Sequence, residues 1–331
     1  MKYSIFTVLT VCLTFIGTAQ TNPKWARYPS ISPDGQNIAF TYKGNLFSVL
    51  AEGGVAKQLT FHSAHDYAPV WSKNGKQLAF TSNRYGNFDV YVMDAQGGPA
   101  TRLTYHSTDE IPFSFSADDA TILFGATRLD AVAHRQYPTG TQPELYSVPV
   151  QGGRVDQVLT VPAEDVQVNS DGSKMVYHDK KGYEDAFRKH HVSAITRDIW
   201  SYEPATGKHI KLTNFKGEDR NPVFSKDGSS IYYLSEQEGS FNVFSMALNG
   251  ESQIKTLTNF KTHPVRSLSI GNDKMAFGYD GEIYTLKAGE EAKKVAIIIR
   301  TQEDSNAIEY ISVNGGVREM DIAPNGKEIA F

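Results

Sequence analysis

The residues best equipped for chemistry in this chain of 331 amino acids are dispersed along it and match no catalytic signature. There is no G-x-S-x-G turn to present a strained serine, no H-E-x-x-H pair to hold zinc on one helical face, and no G-x-x-x-x-G-K-[ST] loop to cradle phosphate. Ser252-Gln253-Ile254-Lys255 has Ser-x-x-Lys spacing but falls in a turn between strands, as a chance match would. A nucleophile needs a base within hydrogen-bond reach, and no such constellation can be argued from spacing, so catalytic residues, cofactors and metals are expected to be absent. His190 and His191 follow Arg188 and Lys189, and adjacent histidines beside two cations lack the geometry of a metal site. His62 and His65 lie in a turn and offer no better set. What remains is binding chemistry. Asp66, Tyr67, Asp109, Glu110, Glu164, Asp165, Glu218, Asp219, Arg220 and Arg266 recur just before or at the start of strands. Acidic groups so placed would ring a channel mouth and hold a peptide amine or a cation, or else serve as solvated rim charges.

These residues are positioned by a unit written seven times. SPDGQNIAF from Ser32, SKNGKQLAF from Ser72, SADDATILF from Ser116, NSDGSKMVY from Asn169, SKDGSSIYY from Ser225, SIGNDKMAF from Ser269 and APNGKEIAF from Ala323 align without a gap, their starts 40, 44, 53, 56, 44 and 54 residues apart. Each copy reads as a hairpin with an Asp/Asn-Gly turn. Glycine supplies positive φ at Gly35, Gly75, Gly172, Gly228 and Gly326, with Asp119 and Asn272 standing in for it elsewhere. A third strand follows, with one aromatic per copy at Phe47, Tyr91, Tyr146, Trp200, Phe244 and Tyr284. A fourth ends in Leu-Thr at Leu59, Leu103, Leu159, Leu212 and Leu257.

Four short antiparallel strands per period give an all-β fold, a six-bladed β-propeller over residues 20–298. Each blade takes its strands from one continuous stretch. The ring is therefore expected to close by packing between blades one and six, without a strand borrowed from the other terminus. Residues 299–331 read as a linker and the first strands of a second, truncated propeller, because the chain stops at Phe331 inside an apolar strand. The blade segments 125–143 and 178–197 are long enough to dock or cover something.

Charge and composition exclude other classes. Lys plus Arg number 33 against 37 Asp plus Glu, and no basic run marks a nucleic-acid footprint. Residues 1–19 read as a signal peptide: Lys2, an apolar stretch from Ile5 to Ile16, then Gly17-Thr18-Ala19 as a cleavage site. That stretch is shorter than the roughly 20 residues of a membrane span. The only cysteine, Cys12, lies within it, so the exported chain must rely on packing without disulfides.

The repeats SPDGQNIAF, DVYVMD and GGPATRLT resemble the TolB-like propeller superfamily. The longer strings WARYPSISPDGQNIAF from Trp25, SNRYGNFDVYVMD from Ser82, YHDKKGYEDAFRKHH from Tyr177, GEDRNPVFSKDG from Gly217 and FGYDGEIYTLK from Phe277 are similar to the amino-terminal region of exported tricorn-type serine peptidases. The resemblance implies a six-bladed propeller followed by a seven-bladed one, a PDZ module and a serine-peptidase core. It also implies propellers that sieve and guide unfolded peptides, a homo-oligomeric parent, and a periplasmic location. Catalytic residues of such enzymes lie in domains outside these residues, so none is carried onto this chain. A TolB-like scaffold, or the propeller of an α/β-hydrolase or amidohydrolase, is the alternative.

Overall fold

The turns heading five of the seven repeats are built by their own side chains. Ser32, Ser72, Ser116 and Ser225 each accept on Oγ the amide five residues on, at 2.9, 2.9, 3.0 and 3.0 Å, and Asn169 Oδ1 does so at 3.0 Å. The fourth turn residue is left-handed, at φ 75° for Gly35 and 71° for Gly75. Asp119 and Asn272 hold the same position at φ 59° and 54°, as the repeat alignment predicts for residues whose short polar side chains tolerate this region. The structure is a computed structural model that describes residues 20–21, 23–128, 142–181, 195–248, 254–300, 319–327 and 329–330. The leader, most of both long loops, His190 and His191 lie outside the described residues.

The larger of two compact units spans Ala19–Arg300. It holds six antiparallel blades, each with four strands from one stretch of chain, ordered inner to outer. The inner strands are Arg27–Ile31, Asp66–Trp71, Glu110–Phe115, Glu164–Val168, Asp219–Phe224 and Arg266–Gly271. Each contacts the next, and the last contacts the first, so the ring is closed.

The core lies between blades. Third-strand rings stack on second-strand rings: Phe47 on Phe40, Tyr91 on Phe80, and Tyr146 on Phe124, at centroid separations of 5.8, 5.7 and 5.8 Å. Leu59, which ends blade one, packs with Trp71, Leu78, Phe80 and Tyr91 of blade two, and Leu103 of blade two sits among Phe115, Phe124 and Tyr146 of blade three. In four of the five Leu-Thr endings the threonine caps the third strand. Thr60, Thr104, Thr213 and Thr258 accept on Oγ1 the amides of Leu46, Val90, Ile199 and Val243 at 2.9, 2.9, 3.0 and 2.9 Å. The Leu-Thr column thus couples inter-blade packing to the end of a ladder.

The seam departs from expectation. No blade is completed by exchange, but the ring does not close by packing alone. Blade six ends at Lys293–Lys294, after which Ile297–Ile299 crosses to blade one and pairs in parallel with Gly54–Gln58, Ile298 opposite Val55. Gln20–Thr21 pairs antiparallel with that added strand, so blade one belongs to a six-stranded sheet. The sequence places Ile298 in the outermost strand of blade six. The tertiary structure moves it because Ile297 and Ile299, 3% and 1% exposed, complete the core of blade one with Val49 and Ala56. An isoleucine run shows that a strand is buried without showing against which neighbour.

The inner strands share a bulge. Their register with the second strand shifts at the same place in all six blades, and five blades set a non-glycine residue there at positive φ: Tyr28, Ala68, Asp165, Asn221 and Ser267, at 52°, 51°, 51°, 51° and 57°. The matching residue of blade three is Pro112, whose ring locks φ at about −65° and so excludes that conformation. Bulges re-aim side chains, and here they do so around the ring axis.

The smaller unit includes Thr301–Phe331. Its described strands, Asp321–Ile322 and Ile329–Ala330, form a hairpin across a turn with Gly326 at φ 64°. Among the described residues no helix is long and apolar enough to cross a membrane.

Candidate functional site

The bulged inner strands line a cavity of about 690 Å³ on the ring axis. It reaches from the first residues of these strands, including Tyr28, Tyr67, Glu164 and Arg266, to their last, including Trp71, Gly271 and the adjoining Asn272. This volume suits a small ligand or a short stretch of peptide.

The wall is chemically two-sided. Blades one and two contribute aromatic groups: the Tyr28 and Tyr67 rings lie 5.2 Å apart, and Phe88 meets Tyr67 edge-on at 5.1 Å. Burial raises both tyrosine hydroxyls above the ordinary phenol value, so they act there as neutral hydrogen-bonding groups.

Blades four to six carry most of the charges, with Lys73 of blade two added to them. Lys180 Nζ lies 3.1 Å from Glu164 Oε1, and His178 Nε2 lies 3.3 Å from Glu164 Oε2. Arg197 spans two blades, with Nε 3.3 Å from Glu164 and Nη1 2.9 Å from Glu218. Arg220 also pairs with Glu218 and lies over the Phe241 ring at 4.6 Å. Burial would raise the Glu164 carboxyl, but the hydrogen bond and charge of His178, together with Lys180 and Arg197, overcome it and hold Glu164 well below the ordinary range. Asp165 differs. Enclosure in the wall raises its carboxyl against the opposing pull of His178, and it accepts a hydrogen bond from Asn221 Nδ2 across the blade boundary.

The residues anticipated from sequence divide into two groups. Tyr67, Asp165, Arg220 and Arg266 line the cavity together. Asp66, Glu110 and Asp219 do not line it and are fully buried. Asp66 pairs with Arg84 at 2.9 Å and Glu110 with Arg128 at 2.6 Å. Each of these arginines also lies over two rings of its blade, Arg84 over Phe80 and Tyr91, Arg128 over Phe124 and Tyr146. A buried carboxylate so paired positions a loop and offers nothing to a ligand. Asp219 is raised to about 6 because burial outweighs hydrogen bonds from Ser235 and Thr213.

Sequence reasoning did not single out Lys180, His178, Arg197, Tyr28 or Asn221 as wall groups. A signal was present. Arg84, Arg128 and Lys180 follow the acids Asp66, Glu110 and Glu164 by 18, 18 and 16 residues, a matched column of cations after the second strand. Among the described residues no group of three or more His, Cys, Asp or Glu is placed to hold a metal ion.

Comparison with known proteins follows the same architecture. The chain is 27% identical over 315 residues to dipeptidyl-peptidase 5 of Porphyromonas gingivalis, covering 79% of this chain and 44% of that protein. It is 22% identical over 311 residues to the tricorn protease homolog of Saccharolobus solfataricus, covering 92% of this chain and 27% of the relative. The chain therefore spans less than half the length of either relative. The crystal structure of the tricorn protease superposes with a TM-score of 0.70 at 19% identity, over 82% of this chain and 26% of that one, a likeness of fold. Residues 23–292, from the start of blade one past the third strand of blade six, match the tricorn protease N-terminal beta propeller domain, and the chain belongs to that family.

Proposed function

We propose that this chain is the substrate-gating or docking propeller of an exported tricorn-type serine endopeptidase that degrades peptides, and that it performs no covalent step itself. The observation that carries the reading is the axial cavity, lined by the inner strands of all six blades and holding both aromatic and charged groups. A polypeptide offers both apolar and charged side chains to such a wall, and the bulges keep the lining fixed before a ligand arrives. Family membership supports the peptidase context, and the partial coverage of the relatives supports placement within a longer polypeptide. On this reading residues 1–19 direct export to the periplasm, and residues 299–331 begin a second propeller. The partners are a peptide or unfolded substrate, the downstream propeller, PDZ and protease domains, and further copies of the parent.

The match to a dipeptidyl-peptidase favours a second reading, in which the propeller serves a peptidase with a different catalytic domain. A TolB-like protein-binding scaffold is the reading that needs no peptidase.

Fluorescence anisotropy with a dye-labelled unstructured peptide tests the proposal, with mass spectrometry of the same sample for cleavage. Saturable binding without turnover is expected, and a cavity-filling Ser267→Trp variant should weaken it. Peptide hydrolysis by this chain, or binding indifferent to the filled channel, overturns the reading.

A further inference from the structure

The charge of the channel wall runs opposite to that of the molecule. The chain carries a net charge of -4. Its cavity is lined by six cations, Lys73, Lys180, Arg197, Arg220, Lys226 and Arg266, against two carboxylates, Glu164 and Asp165. Glu218, just behind the wall, adds a third carboxylate and is shared by Arg197 and Arg220. The excess is not confined to one end. Lys180, Arg197, Arg220 and Arg266 lie near the starts of inner strands or beside them, whereas Lys73 and Lys226 follow the ends of the inner strands of blades two and five. Lys73 Nζ donates to the Val168 carbonyl of blade four at 3.1 Å. Low-dielectric walls focus such a field along the axis.

We infer that the channel selects polypeptide segments carrying side-chain carboxylates, with Arg266 and Lys226 among the groups that attract them from its two ends. An acidic mouth suited to a peptide amine, one of the two readings the sequence leaves open, gives way here to a cationic conduit, because Asp66 and Glu110 are withdrawn into pairs with Arg84 and Arg128. The aromatic side formed by Tyr28 and Tyr67 accepts the apolar part of the same segment. This inference rests on the reading of the channel as the place where polypeptide is held.

The test uses the full chain and dye-labelled, carboxy-amidated peptides of equal length, rich in Asp and Glu, in Asn and Gln, or in Lys. At 50 mM NaCl the acidic peptide is expected to bind about tenfold more tightly than its amide isostere, an advantage that shrinks severalfold at 300 mM as screening shortens the reach of the field. Arg266→Gln and Lys226→Gln should each reduce the preference about threefold. Should either variant misfold, the comparison among peptides still decides. Equal binding of acidic and amide peptides overturns the inference and leaves the docking role intact, whereas failure of all three peptides to bind overturns both. A preference that appears only with a free carboxy-terminal carboxylate and vanishes on amidation also overturns it, since it assigns recognition to the chain end.

Discussion

Asp219 has no exposed surface, and its burial at the start of the inner strand of blade five makes it a stability sensor. Burial raises its carboxyl to about 6, above the ordinary aspartate value of 3.8 that applies in the unfolded chain. A raised acid binds its proton more tightly when folded, so its favourable contribution is complete below about pH 4 and is lost as pH climbs through about 6. Asp219→Asn should therefore match the parent protein in urea unfolding at pH 4 and exceed it by up to about 3 kcal/mol at pH 7.5. A difference independent of pH would assign the effect to packing. Asp66 and Glu110 illustrate what sequence conceals at this scale. Their type and their place at strand starts were legible, but whether a carboxylate faces a ligand or an arginine depends on a partner 18 residues away in another loop. The column of Arg84, Arg128 and Lys180 carried that information once the repeats were aligned.

Among the elements, the added strand at the seam makes a demand on one glycine that its counterpart in blade three escapes. Gly53 and Gly152 occupy the same turn between third and fourth strands of blades one and three, at φ 95° and 81°. A Cβ on Gly53 would lie 2.7 Å from the Ala296 carbonyl oxygen, which accepts the Gly54 amide at 2.8 Å, whereas a Cβ on Gly152 meets nothing within 4 Å. Both Gly→Ala changes bear the left-handed cost of about 1–2 kcal/mol. Gly53→Ala should lose a further 1–2 kcal/mol, roughly, by pushing away the crossing strand, and hydrogen exchange should quicken at Val55 and Ile298. Equal losses in the two variants would show that the crossing contributes no stability. Strand number, turn type and the aromatic column were readable because they are local and repeat; the crossing was not, because an isoleucine run pairs equally well with any open edge.

For the whole molecule, closure is the property on which the channel depends. A chain ending at Arg300 should retain the melting temperature of the parent to within about 2 °C, since the compact unit ends there. Ending it at Ala296 removes Ile297 and Ile299 from the core of blade one and should lower the melting temperature by about 5 °C or more. Equal melting of the two truncations would reduce the seam to packing between blades one and six. The sequence by itself determined the blades, their number, their turns and the absence of a known catalytic signature, because each follows from the chemistry of short segments repeated along the chain. Only the tertiary structure decided which charges face the axis and which are neutralised inside the blades, and which edge takes the last strand. Those outcomes depend on contacts between residues far apart in the chain, made when the sixth blade meets the first.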